Sequence, residues 1–92
     1  MTMHALRSMP YAQATVIEYN DGSVTLVSYT TPVILVDRDG WLSCTGTYSA
    51  TTRRHIGRFM QEMGFGSYQL AKKLYLDGMR YNIRTGEVLP LD

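Results

Sequence analysis

The chain has 92 residues, of which 45% are hydrophobic and 18% charged, with a formal net charge of +1. This suffices for one thin core in a single small domain, and the charge makes no case for nucleic acid from composition alone. A single cysteine excludes an intramolecular disulfide, no apolar run reaches membrane-span length, and no basic-then-apolar leader opens the chain, so a reducing cytoplasm is the expected setting.

Residues 1–12 show no sustained period and are expected as a flexible lead-in. Residues 13–92 are expected to form one α+β domain. From Ala14 onward β-branched and aromatic residues dominate. Residues 15–19 read as a strand, residues 20–23 as a turn with the Asp21-Gly22 hairpin signal, and residues 24–29 as the answering strand. Pro32 cannot donate to a ladder and marks a strand start, an edge or a bend. Residues 33–36 form a continuous apolar run, the pattern of a central strand buried on both faces. Residues 37–40 repeat the Asp-Gly turn signal, and residues 41–48 read as a fourth strand with Gly46 at a bulge.

The long helical signal follows. Ile56, Phe59, Met60 and Met63 recur at i, i+3, i+4 and i+7, and Thr52 extends that face by a turn. Ser49 is placed to cap the start and Gly64 to end it. Gly57 weakens the middle by roughly 1 kcal/mol relative to alanine, and suggests either the close approach of a neighbouring backbone or loose selection. Arg54, Arg58 and Gln61 point away from the apolar face, with Arg53 and His55 on its flanks. Arg54 and Arg58 are stacked at i,i+4, and Glu62 relieves Arg58 only in the weaker order. The ordinary reading of such a ridge is a solvated face. The functional reading is a grip on carboxylate or phosphate by planar guanidinium forks.

Ser67 opens a second helical piece, with Leu70, Ala71, Leu74 and Tyr75 as its stripe and Asp77-Gly78 as its end. Met79, Tyr81 and Ile83 then alternate with polar residues, and Pro90 forces the last strand to an edge. The expected fold is therefore an antiparallel four-stranded meander covered by one main helix, then a short second helix and a C-terminal β-hairpin.

Charge is uneven along the chain. Residues 1–46 carry two basic and four acidic groups, residues 47–92 seven and four. The partner-binding candidates are accordingly Arg53, Arg54, Arg58, Tyr48, Lys72 and Lys73. No catalytic, cofactor or metal residues are assigned. Two histidines and one cysteine lack metal-ligand spacing, and Gly64-Phe65-Gly66 is too short for a phosphate loop. Cys44 reads as a small buried hydrophobe. His55 is the best acid-base candidate, with Asp37 and Asp39 as orienting groups, but a histidine on a helix flank is more often half-buried and hydrogen-bonded. Ser49, Thr51 and Thr52 read first as cap and first-turn residues; their N–H groups, with Arg53 or Arg54, are a lesser candidate for an anion site.

Two stretches carry a resemblance: residues 28–34, Ser-Tyr-Thr-Thr-Pro-Val-Ile, and residues 48–59, Tyr-Ser-Ala-Thr-Thr-Arg-Arg-His-Ile-Gly-Arg-Phe. They resemble a functionally uncharacterised family of small bacteriophage, plasmid and mobile-element proteins. That family's pattern is Ser-Tyr-x-Thr-x-Val, then a Tyr-Ser-x-Thr-Thr-x-x-His-Ile-x-x-Phe helix motif. The similarity spans residues 13–64; Pro32 departs from it, and nothing after Gly64 matches. It implies a mobile-element protein in a bacterial host's cytoplasm, non-enzymatic, acting by stoichiometric binding to a host protein. A defence-system component such as a CRISPR nuclease is the implied class of target. The alternative is a nucleic-acid- or phosphate-ligand-binding protein using the arginine-rich helix. No cofactor and no membrane contact is expected.

Overall fold

Two Asp-Gly turns set the frame of the sheet. Asp21 Oδ1 accepts from the Ser23 N–H and hydroxyl at 2.9 and 2.6 Å. Asp37 Oδ1 accepts from the N–H groups of Asp39 and Trp41 at 2.9 and 3.0 Å. Gly22 and Gly40 complete these turns at φ +92° and +93°, a region that a side chain disfavours. Each turn thus reverses the chain on the spot, and consecutive strands pair antiparallel.

The computed structural model describes residues 1–91. Its strands are β1 (Thr2–Ala5), β2 (Ala14–Glu18), β3 (Val24–Ser28), β4 (Thr31–Val36), β5 (Trp41–Cys44), β6 (Met79–Asn82) and β7 (Val88–Pro90). Helices α1 (Ala50–Met63) and α2 (Tyr68–Asp77) are inserted between β5 and β6. All strands lie in one seven-stranded antiparallel sheet in chain order.

This corrects the expected fold within the α+β class. The sheet is not a four-stranded meander with a separate hairpin. β6 pairs with β5 through Trp41↔Asn82 and Leu42↔Tyr81, which brings the last hairpin into the main sheet. Residues 1–12, expected as a lead-in, supply an edge strand, with Met3 opposite Ile17 and His4 opposite Val16. What anchors that end is Leu6, which is 1% exposed. β5 also ends earlier than expected, at Cys44.

Strand alternation decides which face is covered. Val16, Leu26 and Ile34 are cross-strand neighbours and buried, as are Val36 and Leu42. The helices cover this face with Ile56, Phe59, Met60, Ala71 and Leu74. The β3–β4 register slips between Leu26 and Val27, where Pro32 takes the place opposite Val27. A proline at such an irregularity costs no ladder bond. The bulge buries Val33 and Ile34 in succession.

α1 forms for local reasons. Its buried residues are Thr52, His55, Ile56, Phe59 and Met60, one continuous stripe, while Met63 is only half-buried. Ser49 Oγ accepts from the Thr52 N–H at 3.2 Å, and Gly64 ends the helix in the left-handed region at φ 72°. Phe59 packs edge-on against Phe65, with ring centroids 5.8 Å apart.

Candidate functional site

The arginine ridge of α1 faces the start of α2. A groove of about 450 Å³ lies between them, lined by Arg53, Arg54, Gly57, Arg58, Gln61, Gly66, Ser67 and Tyr68. α2 packs beside Gly57: a Cβ there would lie 3.4 Å from the Tyr68 Cβ, an ordinary van der Waals contact that alanine would also make. No neighbouring backbone comes within 4 Å of that Cβ position, so the packing does not require a glycine there. Gly66 turns the chain at φ +137°, and Ser67 begins α2 without a side-chain cap bond.

Arg53, Arg54 and Arg58 are exposed, and among the described residues none makes a salt bridge. Glu62 is the natural partner for Arg58, but it is engaged elsewhere. Its Oε1 accepts from the Arg7 N–H at 2.7 Å, and its Oε2 from the Ser8 N–H at 2.8 Å and from the Ser8 hydroxyl. Burial pulls the Glu62 pKa upward. The bonds from Ser8 and Arg7, with the Arg7 charge, outweigh that and hold it below the ordinary value. The only carboxylate on α1 is thus spent on docking the turn after β1, and the ridge stays cationic.

The other sequence candidates lie outside this groove. Tyr48 sits before the α1 cap, its hydroxyl 3.1 Å from Thr45 Oγ1. Lys72 is exposed on α2, and Lys73 pairs with Asp77 at 2.9 Å. The groove's second wall, Gly66, Ser67 and Tyr68, was not among the candidates. Local spacing carried no signal for it, because these residues reach the groove from the start of the next helix.

Beneath the start of α1 lies a buried polar chain. Ser28 Oγ is 2.8 Å from His55 Nδ1 and 3.0 Å from Thr52 Oγ1. Ser49 Oγ donates to Thr52 Oγ1 at 3.3 Å. One direction satisfies every hydroxyl: Ser49 donates to Thr52, Thr52 to Ser28, and Ser28 to an unprotonated Nδ1. Burial, aided by the Arg54 charge, lowers the His55 pKa, in keeping with a neutral ring. Tyr29 packs on the imidazole at 5.8 Å between ring centroids. Tyr29 and Tyr48 hold φ 58° and 46°, the left-handed region that bulky residues rarely occupy.

His55 is 1% and Ser28 2% exposed, so the ring is more deeply buried than its flank position suggested. Asp37 bonds its own turn and does not orient it. Cys44 is buried, its pKa raised by desolvation, and its thiol donates to the Gly46 carbonyl at 3.4 Å. Among the described residues no three His, Cys, Asp or Glu side chains gather as a metal set, and no helix is long and apolar enough to cross a membrane.

A family model covers residues 2–77, the whole span from β1 to the end of α2. The chain belongs to a family of unknown function, DUF8033. The DUF8033 match takes in the buried chain and every residue lining the arginine groove, and it stops before β6 and β7. No curated protein and no solved structure gave a match.

Proposed function

We propose that this protein is a non-enzymatic binding protein whose α1–α2 groove takes an acidic segment of a partner protein. The observation that carries the proposal is three exposed arginines lining one groove with no described carboxylate on them. Planar guanidinium groups grip carboxylates bidentately, and Arg and Tyr are the residues that most often carry interface energy. Tyr68 supplies an aromatic wall beside the arginines. A concave groove suits a side-chain-bearing segment, whereas a nucleic-acid duplex is tracked by a broad basic stripe, and the whole chain has a net charge of only +1. A binding role rather than catalysis is favoured by the burial of the Ser28–His55 pair from solvent.

The sequence resemblance of residues 48–59 supplies the context of the proposal. In it the partner is a host protein of a mobile element's bacterial host, of the class of defence components such as CRISPR nucleases. The test is affinity capture from bacterial lysate, with and without nuclease, using the wild type and an Arg54→Glu/Arg58→Glu variant. The proposal expects an acidic protein partner that survives nuclease and is lost with the double variant. Recovery of nucleic acid alone, or capture indifferent to the double variant, contradicts it.

A further inference from the structure

The helices cover one face of the sheet and leave the other bare. A solvated antiparallel face ordinarily alternates to polar residues. Here Ile17, Thr25, Leu35 and Ser43 lie side by side across four strands, and Leu35 is 39% exposed. Val27 and Trp41 extend the apolar character. Within the described strands the one charge on this face is Arg80, on β6.

Arg80 is held in an unusual way. Its guanidinium carbon lies 4.4 Å above the Trp41 ring centroid. Its Nε is buried and has no hydrogen-bond partner among the described residues. A native group left unsatisfied in this way calls for an explanation. Leu35, Asp37, Ser43 and Leu91 complete a shallow cup of about 260 Å³ around the stacked pair. Asp37 Oδ1 is occupied by the Asp39 and Trp41 N–H groups, and no described residue donates to its Oδ2.

We infer that this face binds a second copy of the chain, as a two-fold dimer through the bare sheet face. A two-fold contact sets one patch against itself, so the patch must complement itself. This one does: a guanidinium with no salt bridge among the described residues and a half-free carboxylate share a cup, with apolar residues beside them. The two-fold sets Arg80 of each copy against Asp37 of the other, while Leu35 and Trp41 meet their counterparts. The broad side of the molecule measures 34 × 30 Å, ample for the roughly 800 Å² per partner of a stable interface. The contact leaves the helix layer outward, so it is independent of the arginine groove and gives the assembly two grooves.

Light scattering on a sizing column, from about 10 µM to about 1 mM protein, tests this across the range of weak to moderate dimers. The mass should rise from one chain, 10.4 kDa, toward twice that value. Leu35→Lys and Arg80→Asp should each stay at the single-chain mass while keeping the wild-type circular dichroism. Mixing Arg80→Asp with Asp37→Arg should recover the dimer, because both cross-contacts then join opposite charges. If Asp37→Arg loses the turn that Asp37 caps, the two single substitutions decide alone. A wild type at 10.4 kDa throughout, or a dimer that survives both Leu35→Lys and Arg80→Asp, overturns the inference.

Discussion

Removing one hydroxyl, in Ser28→Ala, tests the buried polar chain that ties α1 to β3. Ser28 Oγ lies 2.8 Å from His55 Nδ1 and 3.0 Å from Thr52 Oγ1, and all three residues are buried. Alanine fills the backbone site without strain but leaves two polar groups without this partner. Thr52 keeps its contact with Ser49, so its share of the loss is small. His55 Nδ1 loses its one described partner, and a buried acceptor left unsatisfied costs about 1–3 kcal/mol. The expected total is about 2–3 kcal/mol, well above the cost of an ordinary surface substitution. For a domain of this size it should lower Tm by about 10–20 °C. Trp41, the only tryptophan, reports urea unfolding directly. Substituting His55→Leu in the Ser28→Ala background should recover part of the loss, because both polar ends are then gone. A Ser28→Ala loss below about 0.5 kcal/mol would refute the reasoning, since water would then be replacing the hydroxyl freely.

Phe59 is fully buried and the largest such side chain, so Phe59→Ala should cost about 3–5 kcal/mol in the same urea assay. Against a total of about 5–14 kcal/mol for a chain this long, that sharply lowers the urea midpoint, and a loss under about 1 kcal/mol contradicts its placement. Stability should also depend on pH through His55. Its folded pKa lies below the unfolded value, so its contribution is full above about pH 6.5 and declines as pH falls below that, where the unfolded chain takes up the proton first. His4, raised by its bonds to the Ala5 carbonyl and Glu18, works the opposite way and loses its contribution as pH rises, but it is largely exposed and weighs little. The acid-side decline should therefore be present in wild type and reduced in His55→Gln. Cys44 should react with a thiol reagent only at the rate of unfolding, because burial keeps it a thiol; rapid labelling of the native protein would show it exposed.

The sequence carried α1 well because its signals are local. The apolar spacing, Ser49 and Gly64 act within a turn or two of themselves. The edge strand β1 carried no such signal: Thr2–Ala5 is exposed at all four positions, so no alternation between buried and open faces marks it. Its place is fixed from afar, by Leu6 in the core and by Glu62 on the following turn. The junction of β5 with β6 was equally hidden, since both helices intervene and strand pairing at that separation leaves no periodicity. Sequence spacing placed Arg54 and Arg58 on one line. It did not bring in Gly66, Ser67 and Tyr68, which reach the same groove from the next helix. Nor did it show that Glu62 would be taken by Arg7 and Ser8, which leaves Arg58 without its nearest carboxylate. The depth of His55 likewise depends on Ser28, on a strand far away in the chain.

The most direct measurement of the central claim is a nuclear magnetic resonance titration of the labelled protein with a short poly-glutamate peptide. The groove reading predicts saturable shifts concentrated at the amides of Arg53, Arg54, Gly57, Arg58, Gly66, Ser67 and Tyr68. Arg54→Glu/Arg58→Glu should change stability by less than about 1 kcal/mol, as exposed substitutions do, and should abolish those shifts. Rising salt from about 50 to 200 mM should weaken the wild-type binding without moving the set of shifted amides. Shifts scattered over Lys72, Lys73 and the N-terminus, or shifts undiminished in the folded double variant, would contradict the assignment of the groove as the binding site.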